Sequence, residues 1–252
     1  MQLGAVTYNV LKDMDLETVI KTLEAVGFEG VELRTTHKHG VEPSISEAER
    51  ARVKSRFAQS KVRLLSYGTT CEFQSPDAAE RKKQVEIAKQ FVVLAHDTGA
   101  WGVKVRPNGL PNGVPKETTI ANIGAALREL GDYGNGHGVE IWLEVHGAQT
   151  QVPTVAADIM RATKHPNVGL CWNSNPTDLA NGSVKQSFDL LRPWLKSCHI
   201  NELTSGYPYR ELFSLMKKSG YDRWTLCEAG ETKEPERFLR YYGALWTELN
   251  KG

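Results

Sequence analysis

Four side chains that can bind metal ions or transfer protons follow short apolar runs in the second half of the chain: Glu144, Asn173, His199 and Glu228. Each run is rich in β-branched, aromatic or other apolar residues and is therefore predicted to be a buried strand. Burying a carboxylate or an imidazole costs free energy unless an opposite charge or hydrogen bonds compensate. A strand-end carboxylate that faces solvent explains one such ending, whereas four in succession favour a common site.

Together these four side chains offer oxygen and nitrogen ligands but no thiolate. This set suits a divalent Mn, Mg, Co, Zn or Fe ion better than a metal that prefers sulfur. A divalent metal next to a carbonyl group polarises it and favours proton transfer at the neighbouring carbon. The four residues therefore predict an oxygen-rich metal centre that carries out proton chemistry.

Two histidines and one glutamate near this predicted centre are candidates for substrate binding. His146 shares a strand face with Glu144, because side chains two residues apart point the same way; it would bind a substrate hydroxyl or support a metal ligand. His37 follows the second predicted strand and could reach the substrate, although histidines in loops are often only solvated. Glu202 could contact the substrate or place its charge at the start of the following turn.

Two cationic residues, Lys104 and Arg106, end the fourth predicted strand on one face. They could hold a sugar oxygen, a carboxylate or a phosphate of the substrate. They could equally form structural ion pairs with Glu72 or Glu32. Glu72 is therefore also a candidate for the substrate site, and both interpretations remain open.

Strands and helices alternate along the whole chain. Capping residues mark several helices: Asp15 precedes a helix from Leu16 to Val26, and Ser46 with Glu49 forms a capping box. The first four strands are predicted at Leu3 to Asn9, Gly30 to Arg34, Val62 to Tyr67 and Trp101 to Arg106, and the polar stretch from Gly68 to Glu72 is expected to lie beyond strand three. Four more strands end at the metal-binding side chains, and one of the intervening helices is predicted from Ser183 to Leu195.

Eight such strand–helix units occupy residues 1–252 without a composition shift, which predicts an α/β fold with one domain, a single (β/α)8 TIM barrel. Functional groups of these barrels gather at the C-terminal ends of the strands, where all four predicted ligands fall. Because strands five to eight are neighbours in a barrel, the four side chains can converge. A doubly wound open sheet is the alternative architecture and would not bring them around one axis.

Composition excludes several classes of partner. The formal net charge is +1, so neither a nucleic acid nor a strongly basic partner is expected. Residues 1–10 lack the features of a secretory signal, and no apolar stretch approaches the roughly 20 residues of a membrane helix. The four cysteines lack any C-x-x-C spacing, and buried free thiols in a reducing cytosol are the interpretation that fits them. We expect a cytoplasmic protein that acts on a small molecule, with a homo-oligomer as an open option.

The segments "LEVHG", "VGLCWNSNP", "CHINE" and "WTLCEAG" resemble the corresponding strand ends of the xylose-isomerase-like barrels, the sugar isomerase and epimerase group, and the resemblance covers the whole chain in its unit order. In that family Glu, Asp, His and Glu hold a divalent metal. The resemblance implies that Glu144, Asn173, His199 and Glu228 are the metal ligands. Asn173 departs from the usual Asp, which lowers the ligand charge and predicts weaker metal binding.

The resemblance also implies the chemistry. An isomerase or epimerase would transfer a proton next to the carbonyl of a sugar through an enediolate, with Glu144 and Glu228 as base and acid. A lyase or dehydratase acting on a keto-sugar or keto-inositol would use the same metal site. A non-catalytic sugar-binding barrel with a degenerate metal site is a further alternative, which Asn173 keeps open. A DNA-repair endonuclease of the related group is disfavoured, because its additional metal ligands are not evident and the net charge is near zero.

Overall fold

Eight parallel strands pair in chain order, and the first strand closes on the last to form a barrel. This architecture comes from a computed structural model that describes residues 1–251. The strands are β1 (Gln2–Val6), β2 (Gly30–Arg34), β3 (Arg63–Glu72), β4 (Gly102–Arg106), β5 (Glu140–Glu144), β6 (Val168–Asn173), β7 (Leu195–Ile200) and β8 (Trp224–Cys227). The predicted (β/α)8 barrel is confirmed.

One helix follows each strand and packs outside the barrel. The helices are α1 (Leu16–Val26), α2 (Glu47–Ala58), α3 (Ala78–Thr98), α4 (Lys116–His137), α5 (Pro153–Thr163), α6 (Lys185–Leu191), α7 (Tyr209–Lys218) and α8 (Pro235–Leu249). Asp15 caps α1 through the backbone N–H of Thr18, and Ser46 and Glu49 form the expected capping box of α2. Local sequence signals therefore set these helix starts.

Three predicted boundaries were wrong. β1 ends at Val6, before a turn in which the Leu11 N–H bonds the carbonyl of Thr7. β3 continues to Glu72, because its polar half pairs with β4 and the Thr69 hydroxyl donates to the Lys104 carbonyl. The helix expected from Ser183 to Leu195 is only α6, since a 3-10 turn at Arg192–Trp194 follows it and β7 begins at Leu195.

Large apolar side chains fill the N-terminal end of the barrel interior. Val6, Leu65, Trp224 and Leu226 form a small buried cluster of their own. Glycines make room for such side chains: a Cβ at Gly30 would lie 2.5 Å from a Leu65 methyl carbon and 2.9 Å from the Trp224 indole nitrogen. Side chains thus fill the interior at this end, and a polar cavity lies at the C-terminal ends of the strands.

An ionic cluster closes the same N-terminal end. The Glu140 carboxylate accepts hydrogen bonds from Arg223 at 2.6 Å, from Lys196 at 3.1 Å and from the Trp142 indole at 2.8 Å. These partners lie on β5, on β7 and immediately before β8. Burial opposes ionisation of Glu140, but the Arg223 guanidinium and the other donors lower its pKa below the ordinary value. The cluster therefore joins three strands through one carboxylate.

The main apolar core lies between the outer face of the barrel and the helices. All four cysteines are buried and none forms a disulfide, and burial raises the pKa of Cys71 to about 11. Within residues 1–251, no helix combines the length and the apolar character that crossing a bilayer requires.

Candidate active site

Three of the four predicted metal ligands meet at the C-terminal ends of β5, β7 and β8. Glu144, His199 and Glu228 each offer a ligand atom, and these atoms all lie within 4.8 Å of one another. The His199 Nδ1 is 3.3 Å from Glu228 Oε2 and 3.6 Å from Glu144 Oε1. Glu144 and His199 are buried, whereas Glu228 is partly exposed. The pairing of neighbouring strands in the barrel is what brings these three residues together.

Asn173, at the end of β6, joins the cluster through its amide. Its Nδ2 donates to Glu144 Oε1 at 3.2 Å, and β6 and β7 place Asn173 directly opposite His199 in their register. The Asn173 Oδ1 is buried and has no hydrogen-bond partner in the described chain, and the same is true of His199 Nδ1. Buried polar atoms without partners are uncommon, so these two are candidates to bind an ion or a substrate.

Lys104 inserts its ammonium group into this cluster. The Nζ lies 2.6 Å from Glu144 Oε2, and both side chains are almost completely buried. Burial acts to raise the pKa of Glu144, but the Lys104 ammonium and the His199 imidazole hold it well below its usual range. The carboxylate of Glu144 is therefore ionised at neutral pH. Of the two roles predicted for Lys104, an ion pair is what the geometry shows, although its partner is Glu144 and neither Glu72 nor Glu32.

Glu32 contacts the other side of the His199 ring. Its Oε1 is 3.3 Å from His199 Nε2, and its Oε2 accepts a 2.7 Å hydrogen bond from the Ser66 hydroxyl. Burial acts to lower the pKa of His199, but the neighbouring Cys171, Glu228 and Glu32 raise it well above its ordinary value. Glycine at position 68 makes this arrangement possible, because a Cβ there would lie 2.6 Å from Glu32 Oε1.

Glu32 is the residue that sequence reasoning undervalued. From the sequence alone, Glu32 is expected only as an ion-pair partner of Lys104 or Arg106. The available signal was its position in an otherwise apolar β2, where a buried carboxylate facing the barrel interior requires a partner.

A cavity of about 320 Å³ opens above this cluster at the C-terminal end of the barrel. Polar side chains dominate its lining, and they include three cationic and two acidic groups. The lining residues are Tyr8, Arg34, Lys104, Arg106, Glu144, His146, Gln151, Asn173, Asn175, Asn201 and Glu228. The predicted candidates Lys104, Arg106 and His146 thus lie in the same cavity as Glu144, Asn173 and Glu228, and His146 Nδ1 is buried without a partner.

The other three candidates for substrate binding lie outside this lining. His37 pairs its Nδ1 with the Thr7 hydroxyl at 2.8 Å, and burial, followed by the charge of Arg34, lowers its pKa to about 4. Glu72 forms an ion pair with Arg106, as one of its two predicted roles required. Glu202 accepts a hydrogen bond of 3.1 Å from the Gly230 N–H. In this structure all three contact residues of the barrel mouth.

The loop after β6 is fixed by a buried aspartate. Asp178 Oδ2 accepts hydrogen bonds from the Asn175 N–H at 2.8 Å and from the Tyr207 hydroxyl at 2.7 Å. The Asn175 amide in turn donates to the Val145 carbonyl at 2.7 Å, which ties this loop to the end of β5. Burial raises the pKa of Asp178 to about 7, although its two hydrogen bonds act against the shift.

The donor atoms fit a divalent metal ion. Glu144, His199 and Glu228 provide two carboxylates and one imidazole, and the buried Asn173 Oδ1 could supply a fourth, neutral ligand. The Lys104 ammonium already compensates part of the Glu144 charge. The residues thus suit a metal that binds less tightly than one held by three carboxylates.

Comparisons with known proteins agree with the architecture. A family model described as xylose isomerase-like TIM barrel matches residues 20–242. No protein of curated function matches the chain.

Solved structures with the same fold cover nearly the whole chain. A D-psicose 3-epimerase from Clostridium cellulolyticum H10, solved with D-tagatose, has a TM-score of 0.85 and 14% identity, with 100% of both chains covered. The IOLI protein with a bound zinc atom has a TM-score of 0.78 and 18% identity over 99% of this chain and 96% of that one. A probable 3-DHS dehydratase from Bacillus anthracis has a TM-score of 0.75 and 15% identity, with both chains fully covered. At these identities the likeness concerns the fold.

Proposed function

The chain belongs to the xylose isomerase-like TIM barrel family, and from this premise we propose that it is an isomerase or epimerase of a sugar or a related hydroxy-carbonyl compound. The observation that carries the proposal is the cluster of Glu144, His199 and Glu228 at the base of an open polar cavity. Solved structures of similar fold include several sugar epimerases, which supports the same reaction class.

We propose a divalent metal as cofactor, held by Glu144, Asn173, His199 and Glu228. When bound, such a metal would polarise the substrate carbonyl and lower the energy of the enediolate formed by proton removal. Solved structures of the fold include a protein with a zinc atom, which supports a metal but does not identify the one used here.

Glu144 and Glu228 are the proposed proton-transfer groups. They approach the cluster from β5 and from the end of β8, so a substrate carbon between them can lose a proton to one and gain a proton from the other. Return of the proton to the opposite face of the carbon gives an epimer, and its return to the neighbouring carbon gives the isomer. The ionised state of Glu144 fits a base, and the partial exposure of Glu228 allows exchange with solvent.

The surrounding side chains position these groups. Glu32 holds the His199 ring from below, and Lys104 fixes one oxygen of Glu144. His146, Lys104 and Arg106 line the cavity and are the proposed contacts for substrate oxygens. For His37, Glu72 and Glu202 we propose that they shape the mouth of the site through Thr7, Arg106 and Gly230, and that they meet the substrate only when it reaches these loops.

The experiment is solvent deuterium exchange. The protein, supplied with Mn²⁺ or Mg²⁺, is incubated in heavy water with D-fructose, D-tagatose and other ketoses, and the products are analysed by NMR. Deuterium should appear at the carbon next to the carbonyl, together with an epimeric or isomeric sugar. In Glu144→Gln and Glu228→Gln, exchange should fall at least about a hundredfold, because general acid–base groups contribute on this order. Near-full activity in either variant would refute its role.

Glu129→Gln is the matched control. Glu129 lies on the exposed surface of α4 and pairs with Lys89, far from the cavity, so this variant should exchange at the wild-type rate. Exchange that is followed by loss of a leaving group instead of epimerisation would identify the lyase or dehydratase alternative. Sugar binding with no exchange under any metal would identify a binding protein.

A further inference from the structure

The acidic and the cationic groups of the cavity come from different strands of the barrel. Its acidic groups, Glu144 and Glu228, belong to the β5–β8 side, where the proposed chemistry takes place. Its cationic groups, Arg34, Lys104 and Arg106, belong to β2 and β4. The lining therefore carries one more positive charge than negative charge, although the whole chain is close to neutral.

The three cations differ in how far protein groups compensate them. Lys104 is paired with Glu144, and Arg106 is paired with Glu72 while its Nε remains buried without a partner. Arg34 has no carboxylate within ion-pair distance among residues 1–251; one of its N–H groups donates to the Thr35 carbonyl at 2.9 Å. Arg34 is therefore the cation in this cavity whose charge no carboxylate of the described chain neutralises.

Strand register places Arg34 and Lys104 at the same level of the barrel. Both residues pair with Gly68 of β3, Arg34 from β2 and Lys104 from β4. Neighbouring strands are about 4.8 Å apart, so roughly 10 Å separate the two backbones at this level. The Glu32 carboxylate lies over Gly68, where a Cβ would come within 2.6 Å of its Oε1, so the free space for an anion lies toward the cavity that Arg34 and Arg106 line.

The residues around Arg34 hold it in place without supplying negative charge. Its backbone N–H donates to the Thr7 hydroxyl at 2.9 Å, and its guanidinium carbon lies 5.8 Å from the centre of the Tyr8 ring. The His37 ring stacks on the Tyr8 ring, with 6.1 Å between the two ring centres, and the lowered pKa of His37 keeps it neutral at pH 7. A guanidinium fixed against an aromatic ring with N–H groups left over is a typical receptor for an oxyanion.

We propose that the substrate carries an oxyanion, a carboxylate or a phosphate, distant from the reacting carbon, and that Arg34 and Arg106 bind it on the β2–β4 side of the cavity. The proposal rests on the proposed function for the reaction at the other side. The cavity volume of about 320 Å³ accommodates a single sugar unit, and both Glu144 and Arg34 line it. Arg34 is thus a residue that determines substrate specificity and does not take part in proton transfer.

The test compares ligands that differ only in the anionic group. Equilibrium dissociation constants of D-fructose, D-fructuronate and D-fructose 6-phosphate are measured by calorimetry, with thermal stabilisation as a second readout. At least one of the two charged ligands should bind about tenfold or more tightly than D-fructose, and 0.5 M NaCl should weaken the binding of the charged ligand only. A preference for the carboxylate or for the phosphate supports the proposal and identifies the oxyanion.

Arg34→Gln should remove most of this preference by weakening the binding of the charged ligands much more than that of D-fructose, and Arg34→Lys should retain part of the preference. Arg63→Gln is the matched control, because Arg63 also lies on a strand and over an aromatic ring, 5.9 Å from the centre of Trp101, but at the opposite end of the barrel. Equal binding of the neutral and charged ligands to the wild type would overturn the proposal, and so would an unchanged preference in a folded Arg34→Gln protein.

These outcomes are independent of turnover. Preferential binding of the charged ligands without any deuterium exchange would contradict the proposed function and leave the oxyanion site standing. Exchange on D-fructose without any preference for the charged ligands would support the proposed function and contradict the oxyanion site.

Discussion

At the level of single residues, the neutral amide of Asn173 leaves the cluster with one negative charge fewer than an aspartate would. An amide contributes a ligand oxygen but no negative charge, and its N–H is already bonded to Glu144 at 3.2 Å. With Lys104 on the other oxygen of Glu144, part of the negative charge of the cluster is compensated before any metal arrives. We therefore expect a divalent metal at this proposed site to bind weakly and reversibly.

Asn173→Asp should strengthen metal binding. The change adds a carboxylate beside Glu144, which attracts a divalent ion but repels Glu144 when no ion is present. We expect the dissociation constant for Mn²⁺ to fall by about tenfold or more and the thermal midpoint of the metal-free protein to fall as well. Calorimetry and thermal denaturation with and without Mn²⁺ measure both effects.

Asn135→Asp controls for the added charge, since Asn135 is exposed on α4 at the other end of the barrel. Its dissociation constant for Mn²⁺ should match that of the wild type. An Asn173→Asp protein that binds Mn²⁺ no better than this control would contradict the assignment of Asn173 as a ligand.

The sequence allowed Glu144, His199 and Glu228 to be placed together, because their strand-end positions are enough to predict convergence in a barrel. The sequence did not predict that Lys104 pairs with Glu144 or that Glu32 supports His199. Both contacts depend on which side chains cross the barrel interior, and that depends on the tilt and register of the strands, which a local pattern does not encode.

At the level of secondary-structure elements, the loop after β6 holds Asn175 in the wall of the cavity. Its organising group is Asp178, whose burial raises its pKa to about 7. An aspartate with an ordinary pKa ionises in the unfolded chain near pH 4, so between about pH 4 and pH 7 the native state retains a proton that the unfolded state has lost. Stability contributed by this group therefore decreases as the pH rises through that window.

Asp178→Asn should flatten this dependence. The amide can still accept a hydrogen bond from Tyr207 or from the Asn175 N–H, but it does not ionise. Relative to the wild type, the variant should gain stability between pH 4.5 and pH 7.5, by at most about 4 kcal/mol. Urea denaturation at a series of pH values measures the difference, and a constant difference across the range would show that Asp178 titrates normally.

The boundaries of β3 show where local patterns fail at this level. Gly68, Thr69 and Glu72 are typical of a loop, yet they belong to β3 because β4 offers partners for their backbone and side chains. The starts of α1 and α2 were predicted more closely, since the caps Asp15 and Ser46 act within their own segment. Tertiary pairing thus decides the end of β3, whereas local hydrogen bonds decide the starts of α1 and α2.

At the level of the whole molecule, closure of the barrel depends on contacts between strands that are far apart in the chain. Glu140 joins β5 to Lys196 on β7 and to Arg223 before β8. Because this cluster lies at the end of the barrel away from the cavity, it contributes to stability and not to the proposed chemistry.

Glu140→Gln should therefore reduce stability by about 1–3 kcal/mol, the range for a partly buried charged hydrogen-bond network, without changing deuterium exchange. Since the pKa of Glu140 is lowered in the folded state, its stabilising contribution is present above the unfolded value of about 4.5 and is lost as the pH falls through the folded value. Denaturation at pH 7 measures the loss, and denaturation at a series of lower pH values shows it shrinking below the unfolded pKa.

Glu236→Gln serves as the comparison, because Glu236 forms an exposed ion pair with Arg240 on α8. Pairs of this kind contribute little, and we expect a change below about 0.5 kcal/mol. A Glu140→Gln protein that resembles this control at pH 7 would show that the cluster is dispensable for closure.

The layer formed by Glu32, Lys104, Glu144 and His199 has one more consequence. These ions occupy the middle of a barrel where apolar side chains of similar volume would pack without any electrostatic cost. Selection for stability alone would be expected to replace them with apolar residues. Their presence in the interior is therefore explained by the proposed proton chemistry and not by a contribution to stability.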